Sequence, residues 1–201
     1  MCGLPPCPTA RGETKRSGSS TSATAYPETG KGAKNLTEDA GVLSRSLRTV
    51  DHLAVAVDDL EAAVAFYRDR LGFAELERRE TAGTKTGMLS VVMKAGELKV
   101  VLLKGTSPDS QVSRYVAEYG PGVQHVAFMV EGIENVVADL RGRGLPFDTD
   151  VIIGPGLKQA FSRRDPVSGM MFELIERTGN EGFHDDNVNK LFAALEENDS
   201  F

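Results

Sequence analysis

Two histidines at matching positions of an internal repeat constrain this chain more than any other feature of its sequence. The stretch Val50-Asp51-His52-Leu53-Ala54-Val55-Ala56-Val57-Asp58-Asp59-Leu60-Glu61 aligns with Val123-Gln124-His125-Val126-Ala127-Phe128-Met129-Val130-Glu131-Gly132-Ile133-Glu134. The offset is 73 residues, from 52 to 125, and the chain contains only three histidines in all. Each copy opens as an apolar run and then turns polar with helical spacing, so each reads as a strand followed by a helix. Two such strands related by a pseudo-twofold axis present two equivalent imidazoles.

Charge and hydropathy narrow the class. The 201 residues carry a net charge of −6, with 40% hydrophobic and 26% charged side chains and a pI near 5.2. That balance argues against a nucleic-acid groove or a membrane-surface patch, both of which need concentrated positive charge. No apolar stretch approaches the roughly 20 residues of a membrane span, and the first residues hold prolines, glycines and charges where a secretory signal has its apolar core. Cys2 and Cys7 lie close together in that leading stretch, which is neither a zinc pattern nor a disulfide framework. A cytoplasmic protein is expected.

The chain divides at about residue 46. Residues 1–46 read as a disordered tail, poor in large apolar side chains and unable to bury enough surface to offset the entropy of ordering. Residues 47–201 read as one domain of two βαβββ modules, at about 49–105 and 122–178. In the first, a strand over 50–57 precedes a helix over 60–71, started by Asp58 or Asp59 and stopped at Gly72. Strands follow over 74–81, 87–94 and 98–104. The second module repeats the plan, with a strand over 123–130, a helix over 133–143, and strands near 151–153, 158–163 and 170–177. A linking helix is expected over 110–119 and a terminal one over 187–197. The fold class is α+β, with the two modules forming a cupped mixed sheet.

Glu173 is the candidate third donor. It interrupts the apolar run Met170-Met171-Phe172-Glu173-Leu174-Ile175, where alternation puts Met171, Glu173 and Ile175 on one face and Phe172 and Leu174 on the other. Neither face is plainly polar, so the acid needs a partner. A single histidine in an apolar strand reads as a hydrogen-bonded core residue, and Glu173 alone reads as a salt-bridged edge residue. Two histidines at matched positions, with a carboxylate on a third strand, read instead as metal ligands. Such a set with open coordination positions suits non-haem iron(II) and oxygen chemistry.

These residues carry a family resemblance. From 49 to about 197 the chain resembles the vicinal oxygen chelate (glyoxalase-like) superfamily. From Thr86 onward it is most similar to the C-terminal catalytic domain of the 4-hydroxyphenylpyruvate dioxygenase family. The matching segments are Ser110-Gln111-Val112, Gly122-Val123-Gln124-His125-Val126-Ala127, Lys158-Gln159-Ala160-Phe161-Ser162 and Phe172-Glu173-Leu174-Ile175-Glu176-Arg177. The most specific are Gly179-Asn180-Glu181-Gly182-Phe183 and Leu191-Phe192-Ala193-Ala194-Leu195-Glu196. The resemblance implies Fe(II) held by His52, His125 and Glu173, with a 2-oxo acid and dioxygen as partners. It also implies a reaction that oxidatively decarboxylates and hydroxylates that acid. Gln124 and Gln159 take the catalytic positions, and Ser90, Gln111, Phe161 and Phe183 fall at positions that surround the substrate.

Departures from the family bear on the substrate. Lys104 stands where an asparagine is expected and could pair with a substrate carboxylate, and Val188 replaces a phenylalanine of the terminal helix. The loop before Gln159 is short, and the family's noncatalytic domain is absent from the sequence. Three alternatives share the fold. One is a methylmalonyl-CoA epimerase-like enzyme using Co or Mn, which resemblance says carries a further ligand on the fourth strand, where Val101 stands here. The others are an extradiol catechol dioxygenase and a metal-free binding protein. His184 reads as a surface residue, and a homodimer is a candidate assembly because exposed strand edges favour pairing.

Overall fold

A computed structural model describes residues 41–83 and 85–179. Its centre is one eight-stranded sheet in the order β2-β3-β4-β1-β5-β8-β7-β6. The strands are β1 (Leu47–Ala56), β2 (Ala74–Ala82), β3 (Gly87–Ala95), β4 (Leu98–Gly105), β5 (Gly122–Val130), β6 (Ile152–Gly154), β7 (Leu157–Phe161) and β8 (Met171–Arg177). The helices are α1 (Val42–Ser46), α2 (Leu60–Ala65), α3 (Gln111–Tyr119) and α4 (Ile133–Gly142). The two expected βαβββ modules are present and meet where β1 pairs antiparallel with β5. Each first strand also pairs parallel with the last strand of its own module, β1 with β4 and β5 with β8.

Strand alternation divides each module's apolar residues between two faces. In the first module Val91, Met93, Val100 and Leu102 pack under Leu60 and Val64 of α2. Ala54, Ala56, Val92, Val101 and Leu103 face the opposite way, against Val112 and Tyr115 of α3. In the second module Val130, Ala160 and Leu174 pack under Ile133, Val136 and Val137 of α4. Ala127, Leu157 and Ile175 form the inward layer. Both faces of β8 are therefore covered, as its sequence requires.

Local chemistry sets the helix ends. Asp59, one of the two expected caps, accepts a hydrogen bond from the Ala62 backbone N–H at 3.0 Å, satisfying a donor that has no intrahelical partner. At α4 the cap comes from another strand. Glu176 of β8 accepts from the N–H groups of Gly132 at 3.0 Å and Ile133 at 3.2 Å. Its negative charge also suits the positive end of the helix dipole. Gly132 holds φ +68° at this junction, a left-handed conformation that favours glycine.

Three expectations change. The tail does not extend to residue 46, because Val42–Ser46 forms a helical turn whose Val42 and Leu43 pack on the α4 core. The first strand begins at Leu47, since that residue still finds a partner in Val130. The helix expected over 60–71 is α-helical only to Ala65 and continues as a wider π-helical turn over Phe66–Arg70, which ends with Tyr67 edge-on to Phe73 at 5.3 Å between ring centres. Phe183, His184, Val188, the expected terminal helix and residues 1–40 lie outside the described residues. Among the described residues no helix is long and apolar enough to cross a membrane.

Replacing Glu176 by Ala leaves two helix-end donors of α4 without their acceptor. A loss of about 1–2 kcal/mol in unfolding free energy is expected, read as a lower urea midpoint with an unchanged m-value.

Candidate metal centre

The register of β1 on β5 brings the repeat histidines together. His52 lies opposite Ala127 and Ala54 opposite His125, symmetric about the Leu53–Val126 pair. The two imidazoles meet edge to face, with ring centres 5.6 Å apart. The parallel pairing of β5 with β8 sets Glu173 beside Ala127. Its Oε2 lies 3.3 Å from Nε2 of His52 and 3.5 Å from Nε2 of His125. The three donors lie within 4.8 Å of one another, and all three residues are buried. Ligand bonds of about 2.0–2.2 Å at right angles put neighbouring donors about 3 Å apart, so the set fits a divalent metal ion.

The residue before each histidine fixes its ring. His52 Nδ1 lies 3.0 Å from Oδ1 of Asp51, and His125 Nδ1 lies 2.7 Å from Oε1 of Gln124. An Nδ1–H donated to these oxygens leaves the Nε2 lone pair directed at Glu173, the tautomer a ligand needs. Burial lowers the His125 pKa, an effect the nearby Glu173 opposes, so the ring is neutral at pH 7.

The two supports differ in charge. Asp51 also accepts from Arg177 of β8, at 2.7 Å from Nε and 2.9 Å from Nη2. Burial would raise the Asp51 carboxyl, but the bonds to His52 and Arg177 outweigh it and hold it well below the usual carboxylate range. One histidine therefore rests on a buried ion pair and the other on a neutral amide. On the β5 side Tyr115 of α3 donates to the Val123 carbonyl at 2.9 Å, and Arg164 donates to the Gln124 carbonyl at 3.0 Å. The Arg164 guanidinium also lies over the Tyr115 ring at 4.7 Å, so α3 and the turn before β8 are both pinned to the histidine strand.

The triad opens into a cavity between the inner faces of the two modules. Ser90, Gln111, Gln124, Gln159 and Phe161 all line it, where the sequence led us to expect substrate or catalytic groups. Phe161 packs edge-on against His125 at 5.0 Å. Gln111 is 3% exposed, and its Oε1 makes no hydrogen bond among the described residues. Gln124 already spends its oxygen on His125, which makes it a support for the ring.

Lys104 is a correction. Leu103 faces the cavity, so strand alternation turns Lys104 to the opposite face, and it is not among the cavity-lining residues. The cation in the wall is Arg79 of β2, beside Glu77. Nothing in the local pattern Glu-Leu-Glu-Arg-Arg-Glu marks either residue as facing a cavity. Asp51 could have been found from the repeat itself, which sets it against Gln124, but Arg177 could not.

Comparison with known proteins agrees with this geometry. Residues 49–174 match the model of the Glyoxalase/Bleomycin resistance protein/Dioxygenase superfamily. A 4-hydroxyphenylpyruvate dioxygenase of Pseudomonas aeruginosa is 30% identical over 77% of this chain and 53% of its own length. This chain thus spans about half the length of such relatives. A solved mutant of 4-hydroxymandelate synthase from Streptomyces coelicolor shares the fold at TM-score 0.69, with 23% identity over 77% of this chain and 55% of that one. A methylmalonyl-CoA epimerase variant from the same organism superposes at TM-score 0.58, with 28% identity, covering 67% of this chain and 100% of its own.

Asp51→Asn keeps the size of the side chain and removes its charge. Metal affinity, measured by calorimetric titration, is expected to fall about 10- to 100-fold. The stability Asp51 contributes is fully present above its unfolded pKa of about 3.9 and is lost as pH falls toward the depressed folded value. Below pH 4 the variant and the parent should therefore converge in stability.

Proposed function

This chain belongs to the Glyoxalase/Bleomycin resistance protein/Dioxygenase superfamily, and we propose that within it the chain is an Fe(II)-dependent dioxygenase acting on a 2-oxo acid. His52, His125 and Glu173 would hold the metal. When bound, the metal supplies the electron chemistry that activates dioxygen and a Lewis-acid centre for the oxygens of the acid. Asp51 and Gln124 keep the two imidazoles in the ligating tautomer. Gln159, Gln111 and Ser90 offer polar atoms to a bound acid without adding charge beside the metal. Phe161, Val92 and Leu103 give the cavity an apolar lining that excludes water from the reacting groups.

The observation that carries the choice is the residue mirroring Glu173. Glu173 pairs with Ala127 on β5, and Val101 pairs with Ala54, the repeat mate of Ala127, on β1. The pseudo-twofold therefore sets Val101 where a fourth donor would stand, and Val101 is buried in the cavity wall. Three donors leave coordination positions for both a chelating acid and dioxygen. The epimerase reading, which the likeness to methylmalonyl-CoA epimerase keeps in view, calls for a further ligand at that position.

Oxygen uptake by anaerobically Fe(II)-reconstituted protein decides between them. Uptake matched by carbon dioxide release from a 2-oxo acid is expected. His125→Ala should lose more than the roughly 10- to 100-fold that loss of an outer support costs. Epimerisation of methylmalonyl-CoA by Co(II)-loaded protein, with no oxygen uptake on any 2-oxo acid, would overturn the proposal.

A further inference from the structure

The cavity has a second polar pole, far from the triad. Glu77 and Arg79 leave the same face of β2, two residues apart, and both line the cavity. Nη2 of Arg79 pairs with Oε1 of Glu77. The arginine side chain is 14% exposed and the glutamate 36%. Arg79 stands beside Ser90 on β3, and Glu77 beside Val92. Strands β3 and β4 separate this pair from His52, so three strand spacings of about 4.8 Å put the two poles about 14 Å apart along the sheet. The wall between them is mostly apolar, made of Val92, Val101 and Leu103, with the Ser90 hydroxyl beside Arg79.

We propose that Arg79 anchors a second acidic group, so that the substrate is a 2-oxo diacid with its oxo-acid end at the triad and its far carboxylate at Arg79. The inference rests on the 2-oxo acid reading above and adds the chemistry of the other end. Stability alone gives little reason for the pair, since a partly exposed ion pair contributes little to folding. Its two members differ in depth. The guanidinium lies deeper, where attraction to an incoming anion is less screened. Glu77 lies nearer solvent, where its carboxylate can be rehydrated when another replaces it. A guanidinium presents five donors in a planar fork that matches a carboxylate bidentately. The carboxylate of Glu77, paired with Arg79, marks where that group would sit.

Calorimetric titration of the full chain loaded with Co(II), using 2-oxooctanoate and 2-oxooctanedioate, tests the anchor. The two ligands share one chelating end and differ only at the far end. The diacid is expected to bind about tenfold tighter. Arg79→Gln should abolish that preference, bringing the diacid affinity down to that of the monoacid. Glu77→Gln, which removes the competing carboxylate, should enlarge the preference several-fold, and it keeps the test decisive if the arginine variant fails to fold. Equal affinities in the parent protein, or a preference unchanged by Arg79→Gln, overturn the proposal. If neither 2-oxo acid binds, the chelation reading has failed and the anchor is read with octanoate, whose one carboxylate has no chelating oxo group. Loss of octanoate binding in Arg79→Gln supports the anchor, and retention overturns it.

Discussion

The antiparallel pairing of β1 with β5 is the constraint on which the rest depends. Its centre at Leu53 and Val126 sets His52 and His125 side by side, and a slip of one residue would turn one of the two side chains to the other face of the sheet. The pairing also makes one continuous sheet of two modules, each of which covers its outer face with its own helix. Among the described residues the inner faces meet the cavity and α3.

A carboxylate 2% exposed between two imidazoles is costly unless something compensates its charge. The strand that carries it, β8, is tied down at several points. Arg177 reaches Asp51 beneath His52, and Glu176 caps α4 on the opposite face. One short strand thus supplies a candidate ligand, the buttress of another ligand and the lock on the second module's helix. Alternation makes this division possible, because residues 173 and 177 face inward while 176 faces out. The two histidines are not electrostatically equivalent despite their symmetry. Divergence at one repeat position, Asp51 against Gln124, leaves one ring on an ion pair and the other on an amide.

Much of this was legible in the sequence, for identifiable reasons. The repeat revealed the histidines because two short apolar strands carry a strong local pattern, and Glu173 stood out as a charge in an apolar run. Gln111, Gln159, Ser90 and Phe161 followed from family motifs and do line the cavity. Lys104 also followed from a motif position, but strand alternation turns it to the face opposite the cavity. The π-helical turn after Ala65 was hidden by an unbroken helical spacing of apolar residues. The turn at Val42–Ser46 was hidden because only two apolar residues, Val42 and Leu43, dock it.

The sequence by itself determined the modules, their order and the donor types, since these depend on short-range periodicity and on residues that are chemically costly in apolar strands. The tertiary structure alone decided which groups meet. The bond from Arg177 to Asp51 joins residues 126 apart, and the Arg79–Glu77 pair enters the cavity only because the sheet curls an edge strand toward the triad. The first contact, and the second pair's place in the cavity, come from register and curvature summed over the whole sheet, which no local window of the chain contains.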